Sequence, residues 1–423
     1  MIDDMAEHDI SAAPPNGGPR VAIIGGGPIG LEAAARAAAL EWPFDVYEAG
    51  EIATHVRQWG HVVLFTPFSM NHSDLGIETI RRDNPDYAPP MADAMLSGRD
   101  HVRAYLAPLA GSSALEDHVH TGHRVVSIGR WGLLKSQYLG DERRGGRSFR
   151  LLIQTADGVE RIAQADVVID ASGTYGNHNW VGNGGIPAVG ERSAAAFIDY
   201  HLEDINAARK ADFSGKHIVL VGAGYTAATS IVELEKLVHS DTRTRVVWMT
   251  AGDRNPPIRE IPRDSLFARG QLARRANAIA LASHPRIKHI PSVTVEKIET
   301  HAHNTVVVHA ADVHCNHQLF EVHRVLANVG YHPDRSLYRE LHVHECYATM
   351  APMKLAATLR KQDVHDCLER KPTPEETLVT PEPNFFILGA KSFGRDATFL
   401  LATGIAQVDK VFTRLAARRA ERV

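Results

Sequence analysis

The chain has 423 residues, 44% of them hydrophobic, and a formal net charge of -4 at pH 7. That length allows two or three domains with cores of their own, and so weak a charge excludes the electrostatic footprint of a nucleic-acid binder. Three scattered cysteines, Cys315, Cys346 and Cys367, are too few for a disulfide framework.

Residues 1–19 open acidic and turn rich in proline and glycine, without the positive-then-apolar layout of a signal peptide. They read as a disordered lead-in. No uncharged apolar run approaches the roughly 20 residues a bilayer span requires, so no membrane span and a cytoplasmic location are expected.

Val21-Ala22-Ile23-Ile24 has strand character and runs directly into glycines at G-x-G-x-x-G spacing, followed by an alanine-rich helix. Gly25 suits the tight turn, Gly27 the close approach of a pyrophosphate, and Gly30 close packing of helix on strand. Pro28 and Ile29 lie between them, at the helix start, where backbone amides and the helix dipole face phosphate. A second strand, Phe44–Glu48, ends in an acid about 18 residues beyond Gly30, as a ribose anchor would. Glu48 is that anchor. The aromatic stretch from Glu51 to Asn71 lacks a clear period and reads as a loop beside the bound nucleotide. From Ser97 to Ala110 the spacing of Val102, Tyr105, Leu106 and Leu109 predicts a helix.

Val119–Ile128 reads as a strand, with Trp131–Leu139 and Ser148–Gln154 as antiparallel strands about a turn at Gly140–Gly146. Val167–Asp170 is a buried strand ending in the small residues Ala171, Ser172 and Gly173, which let a chain pass close to a cofactor. Trp180–Gly190 marks a domain boundary. A second unit follows, Ile218–Val221 with Gly222, Gly224 and Ala227 at G-x-G-x-x-A spacing and Tyr225 and Thr226 opening the helix. Its companion strand ends in Thr250 with Arg254 beyond, where a hydroxyl and a guanidinium accept a 2′-phosphate that an acid would repel. NADPH is therefore expected over NADH. The arginines from Pro256 to Leu281 read as a solvated helix face. Val322–Tyr331 is expected to return the chain to the first domain. His342 and His344 alternate on one strand face, but a metal site needs more converging ligands, and no metal is expected.

The order of these motifs, with the later VLANVGYHPD run (Val325–Asp334) and the segment Asn384–Gly404, resembles the flavoproteins that carry two dinucleotide-binding domains. The resemblance implies an α/β protein of two Rossmann-like domains: a first FAD-binding part (20–180), an inserted NADPH domain (181–320) and a second FAD-binding part (321–423). It implies FAD in contact with the first motif and with Val125, Ala171, Gly173, Gly389, Asp396 and Thr403, the family's usual Gly-Asp being Gly389-Ala390 here. Without a cysteine pair beside the flavin, a dithiol reductase is not expected. The remaining likeness is to flavin-dependent monooxygenases of the N-hydroxylating and Baeyer-Villiger groups. It implies reduction by NADPH, a flavin hydroperoxide, and oxygen transfer to a nitrogen, sulfur or carbon centre of a small molecule. Asn71 and Arg57 match positions that would face substrate, peroxide or NADP+. Two alternatives stay open: an NAD(P)H oxidoreductase passing electrons to a quinone or partner protein, and a redox-sensing flavoprotein. An oligomer is compatible with the sequence.

Overall fold

A computed structural model of the chain describes residues 17–301, 304–362, 364 and 366–421, so residues 1–16 of the expected lead-in lie outside the described residues. β1 (Val21–Ile24) leads into the helix Pro28–Ala39, whose first-turn proline lacks an amide hydrogen that a helix start leaves unpaired anyway. The chain continues through β2 (Phe44–Tyr47) and a short β3 (Val119–His120). β4 (His123–Arg130), β5 (Phe149–Thr155) and β6 (Glu160–Ala165) make an antiparallel meander, and β7 (Val167–Asp170) follows. The helical run predicted near Ser97–Ala110 forms, with a π-helical turn at Val102–Leu106.

Beyond it lie β8 (Ile198–Asp199), β9 (His217–Val221), the helix Tyr225–Ser240, β10 (Arg245–Met249), the helix Phe267–Leu281 and β11 (Ile287–Ile290). A second meander comprises β12 (Val293–His301), β13 (Thr305–Asp312) and β14 (His317–Val322), before β15 (Arg324–Ala327). The helix Met353–Gln362, β16 (Phe385–Ile387) and the helix Leu401–Ala420 complete the chain.

Two parallel sheets result, ordered β16-β7-β1-β2-β3 and β11-β10-β9-β15-β8. The central strands β1 and β7 are buried throughout, as strands covered on both faces must be. Each sheet places its glycine-rich turn at its carboxyl edge, where open α/β sheets bind ligands.

Two expectations change. Val322–Tyr331 does not return to the first sheet: Val325, Leu326 and Ala327 pair in parallel with Val219, Leu220 and Val221 of β9. The apolar run Val325–Ala327 is buried as an inner strand, with both of its hydrogen-bonding edges paired between β9 and β8. Nor does Trp131–Leu139 form a strand. Its Leu134 and Gln137 carbonyls accept hydrogen bonds from Arg144 Nη1, at 3.1 and 3.2 Å, in place of a neighbouring strand.

Candidate cofactor and substrate site

At the first turn each glycine has its own physical reason. Gly25 has φ +101°, and a Cβ there would lie 2.8 Å from the Ala171 carbonyl oxygen. A Cβ on Gly30 would lie 1.8 Å from the carbonyl oxygen of Gly25, so helix and turn touch backbone to backbone. Gly27 differs, because a Cβ there meets nothing within 4 Å. It faces the open space before the helix start, where unpaired amides collect. Ile29 points elsewhere and packs against Gly389 and Gly404 of the C-terminal segment. Ala171 is held by its amide to the Ile24 carbonyl at 2.9 Å, and Gly173 has φ +71°. Val125 is a buried core residue beside a bulge in β4.

The Glu48 carboxylate first braces the turn, accepting the amides of Gly26 at 2.7 Å and Gly50 at 2.8 Å. A carboxylate accepts about four hydrogen bonds, which leaves capacity for ribose hydroxyls. These residues fit FAD.

The second turn repeats the design. Gly222 has φ +134°, with its missing Cβ 2.2 Å from the Asn328 carbonyl oxygen, while Gly224 again meets nothing within 4 Å. Ala227 is buried under the helix that Tyr225 and Thr226 open. The Tyr225 ring stands edge-on to Phe65 of the first domain, 5.7 Å between centroids. Arg254 is exposed just past β10. Thr250 is buried, and its hydroxyl is engaged by His289 Nε2 at 3.1 Å, so of this pair Arg254 is the group free to meet a phosphate. The turn and Arg254 fit NADPH.

In the C-terminal segment Gly389 has φ +71° and donates its amide to Gln407 Oε1 at 2.9 Å. Asp396 is tied to Arg370 at 2.6 Å and to Thr398, and Thr403 lies in the first turn of the last helix. The main polar group here is one the sequence reading misses. Lys391 and Asp170, both side chains fully buried, form a 2.6 Å ion pair, and Lys391 Nζ also donates to Ser172 Oγ at 2.9 Å. An acid ending an apolar buried strand demands a cation, which was the available signal.

The loop carrying Arg57 and Asn71 is tightly organised. Asn71 is buried, its amide hydrogens reach the Thr66 and Pro67 carbonyls at 3.0 Å, and its Oδ1 accepts the Thr66 hydroxyl at 2.8 Å. Both amide hydrogens are thus engaged within the loop. Arg57 is exposed and donates Nε to the Ile52 carbonyl at 2.8 Å. Glu32, on the first helix, anchors the loop by accepting the Ser73 and Tyr105 hydroxyls, each at 2.5 Å, and burial raises its pKa. Nearby His101 is buried with both ring nitrogens unpaired, and burial pushes its pKa down to about 4.

The domains meet through rings and charge. Tyr175 and Tyr331, from the two connecting segments, lie 4.7 Å apart; Tyr175 stacks on His201 at 4.6 Å and contacts His55 at 5.6 Å. Burial lowers the pKa of both histidines, keeping these rings neutral near pH 7. Arg269 is buried rather than solvated as expected of its helix, pairing with Asp264 at 2.7 Å and with Asp366 at 2.8 Å, beyond the helix Met353–Gln362. Among the described residues no three His, Cys, Asp or Glu side chains are grouped to hold a metal ion, and no helix is long and apolar enough to cross a membrane.

Two parallel sheets, each with a pyrophosphate-type turn, one nested within the chain of the other, define a flavin-dependent pyridine nucleotide oxidoreductase with FAD and NADPH as cofactors. Residues 22–354 match the pyridine nucleotide-disulphide oxidoreductase family, and the chain belongs to it. Among solved structures it is similar to the bacillithiol disulfide reductase Bdr (YpdA) from Bacillus cereus, at 19% identity and TM-score 0.67, with 95% of this chain and 99% of that one covered. It is similar to the ornithine N-hydroxylase KtzI of Kutzneria sp. 744, at 14% identity and TM-score 0.61, covering 95% and 100%. A Lactococcus lactis thioredoxin reductase aligns at 17% identity and TM-score 0.58, covering 95% and 99%. No curated protein sequence matches the chain. At such identities these likenesses speak for the fold.

Proposed function

We propose that the protein is an NADPH-dependent FAD monooxygenase of the cytoplasm, acting on a small molecule with molecular oxygen as co-substrate. The observation that carries this reading is the wall beside the first glycine turn: the buried Lys391–Asp170–Ser172 group, with the Tyr338 ring centroid 5.2 Å from Lys391 Nζ. No thiol stands among them. All three cysteines are free, and Cys367 is engaged by Arg269 at 3.0 Å.

When bound, FAD supplies the hydride-accepting and oxygen-activating chemistry. The amides at Gly27 and Gly224 orient the two nucleotides, and Glu48 fixes the turn that presents the first. Lys391, held by Asp170 and Ser172 and excluded from water, stabilises negative charge that develops beside it, because donors fixed in a dry site act more strongly than in water. The neutral rings at the domain junction keep solvent from the reacting centre. Arg269 and Asp366 tie the second domain to the segment beyond the helix Met353–Gln362, and so would fix the separation of the two nucleotide sites.

The test is simultaneous measurement of NADPH oxidation, oxygen uptake and hydrogen peroxide release by the purified holoprotein. Oxygen uptake that precedes peroxide release, with the delay abolished in Lys391→Met, supports the reading. Immediate, stoichiometric peroxide release with rapid turnover on quinone overturns it in favour of electron transfer.

One observation favours a second reading, reduction of an external disulfide. The half-buried Cys346 thiol is held below its ordinary pKa by the polar groups of its own turn, residues 346–349, which favours thiolate. NADPH-driven reduction of a disulfide probe that is lost in Cys346→Ser would establish it.

A further inference from the structure

A cavity of about 470 Å³ opens between the loop 131–147 and the segment 332–350, within the usual range for small-molecule sites. Three of its lining side chains are cationic (Lys135, Arg335 and Arg339) and two are carboxylates (Asp334 and Glu345). Each carboxylate has a partner on its own segment, and the cations outnumber them three to two. Glu345 faces Arg335 at 3.6 Å and accepts the Tyr338 hydroxyl at 2.6 Å, while Asp334 accepts the Ser336 amide at 2.8 Å. Lys135 and Arg339 have no carboxylate partner among the described residues. They are nonetheless held together, since Lys135 Nζ donates to the Arg339 backbone carbonyl. Two cations lining one cavity without carboxylates of their own favour an anion placed between them. The inner wall is different in kind, with Leu341, Val343 and Met350 offering apolar surface.

The frame behind these walls is rigid. Glu382 accepts Arg130 Nε at 2.7 Å, Arg144 Nε at 2.9 Å and the His342 amide at 2.7 Å, with all three side chains buried. Arg144 reaches the Leu134 carbonyl on one wall and the Glu340 carbonyl, at 3.3 Å, on the other. One buried ion-pair group therefore fixes both walls. The floor is Tyr338, whose ring centroid lies 5.2 Å from Lys391 Nζ, and Lys391 in turn meets Asp170 at the carboxyl end of β7. The cavity thus adjoins the edge of the sheet where α/β proteins bind ligands.

We infer that this cavity binds a small organic anion, a carboxylate with an apolar body, through Lys135 and Arg339 at the rim and Leu341, Val343 and Met350 within. Resting on the oxygenase reading above, it makes such an anion the molecule oxidised. The Glu382 group positions the two cations without touching the ligand.

The experiment titrates the flavin-loaded protein with benzoate and hexanoate and with the matching uncharged amides, following the flavin absorption spectrum and, independently, binding heat. Each acid is expected to bind at least about tenfold more tightly than its amide. In the double variant Lys135→Met, Arg339→Met the acid and amide affinities converge; Lys135→Arg, Arg339→Lys restores the preference. Both residues are exposed, so the substitutions test charge at little cost to the fold beyond the one hydrogen bond of Lys135. Equal affinity of acid and amide, a preference that survives the methionine pair, or no binding of either acid at about 10 mM overturns the inference. Anion preference without delayed peroxide release removes the oxygenase reading and leaves the site standing; delayed peroxide release without anion preference does the reverse.

Discussion

Gly27 and Gly30 sit three residues apart in one turn, yet their substitution should fail for different reasons. Gly27 has φ -85° and ψ -174°, extended backbone that valine adopts readily, and a Cβ there meets no protein atom within 4 Å. Gly27→Val should therefore cost the apoprotein less than about 1 kcal/mol. The added side chain occupies the space before the helix start and keeps a pyrophosphate from the turn amides. Two charge-assisted hydrogen bonds lost at about 1.5–3 kcal/mol each amount to about 3–6 kcal/mol, or roughly 10²- to 10⁴-fold in flavin affinity. Gly30→Ala instead drives a Cβ into the Gly25 carbonyl oxygen, where only backbone can yield. It should lose both flavin and thermal stability. The assay is the flavin-to-protein absorbance ratio after desalting, paired with thermal unfolding of each apoprotein by circular dichroism. Full flavin retention in Gly27→Val, or an apoprotein unfolding as early as that of Gly30→Ala, would refute the separation of binding from folding.

Gly224→Val should keep its flavin and raise KM for NADPH at least about tenfold, since the open space there belongs to the second nucleotide. Arg254→Ala should weaken NADPH about tenfold without affecting NADH, whereas Thr250→Ala, whose hydroxyl serves His289, should leave the NADPH to NADH ratio unchanged in steady-state kinetics. Glu382→Gln strands two buried guanidinium groups and should cost about 3–5 kcal/mol, detectable as faster proteolysis within residues 131–147. His101 has its pKa pushed down to about 4 in the folded protein, against an ordinary 6.5. Between those values the unfolded chain binds a proton that the folded chain refuses, so stability is full above about 6.5 and falls as pH drops towards 4, by about 3 kcal/mol. His101→Phe should flatten that acid limb of the denaturation profile; an unchanged limb would assign the acid sensitivity elsewhere.

Both dinucleotide turns are legible in the sequence because strand, glycine spacing and helix are contiguous, and the positive φ at Gly25 and Gly222 is a local demand. Glu48 is legible by its distance from Gly30, although its work bracing Gly26 and Gly50 is not. The contacts that shape the candidate site are of another kind. Lys391 meets Asp170 across 221 residues, Arg144 meets Glu382 across 238, and Arg269 meets Asp366 across 97. Hydrophobic period and motif spacing hold no record of such partners, so Arg144 reads as part of a turn and Arg269 as one arginine of a solvated face. Asn71 shows a different limit of sequence reading. A position matched by family likeness suggests a group free to act, whereas the loop's own hydrogen bonds claim both its donors.

The pairing of β15 with β9 changes where this protein can be cut. A fragment ending at residue 320 would strip β9 of one neighbour, leaving Ile218–Val221 as a bare apolar edge ready to recruit another chain. A unit of recombination must carry Arg324–Ala327 with it, so the natural seams are the crossing segments around Tyr175 and Tyr331. Those seams are the same rings that close the domain junction. Grafting a foreign nucleotide domain onto this chain would therefore succeed or fail on whether the graft restores their stacking.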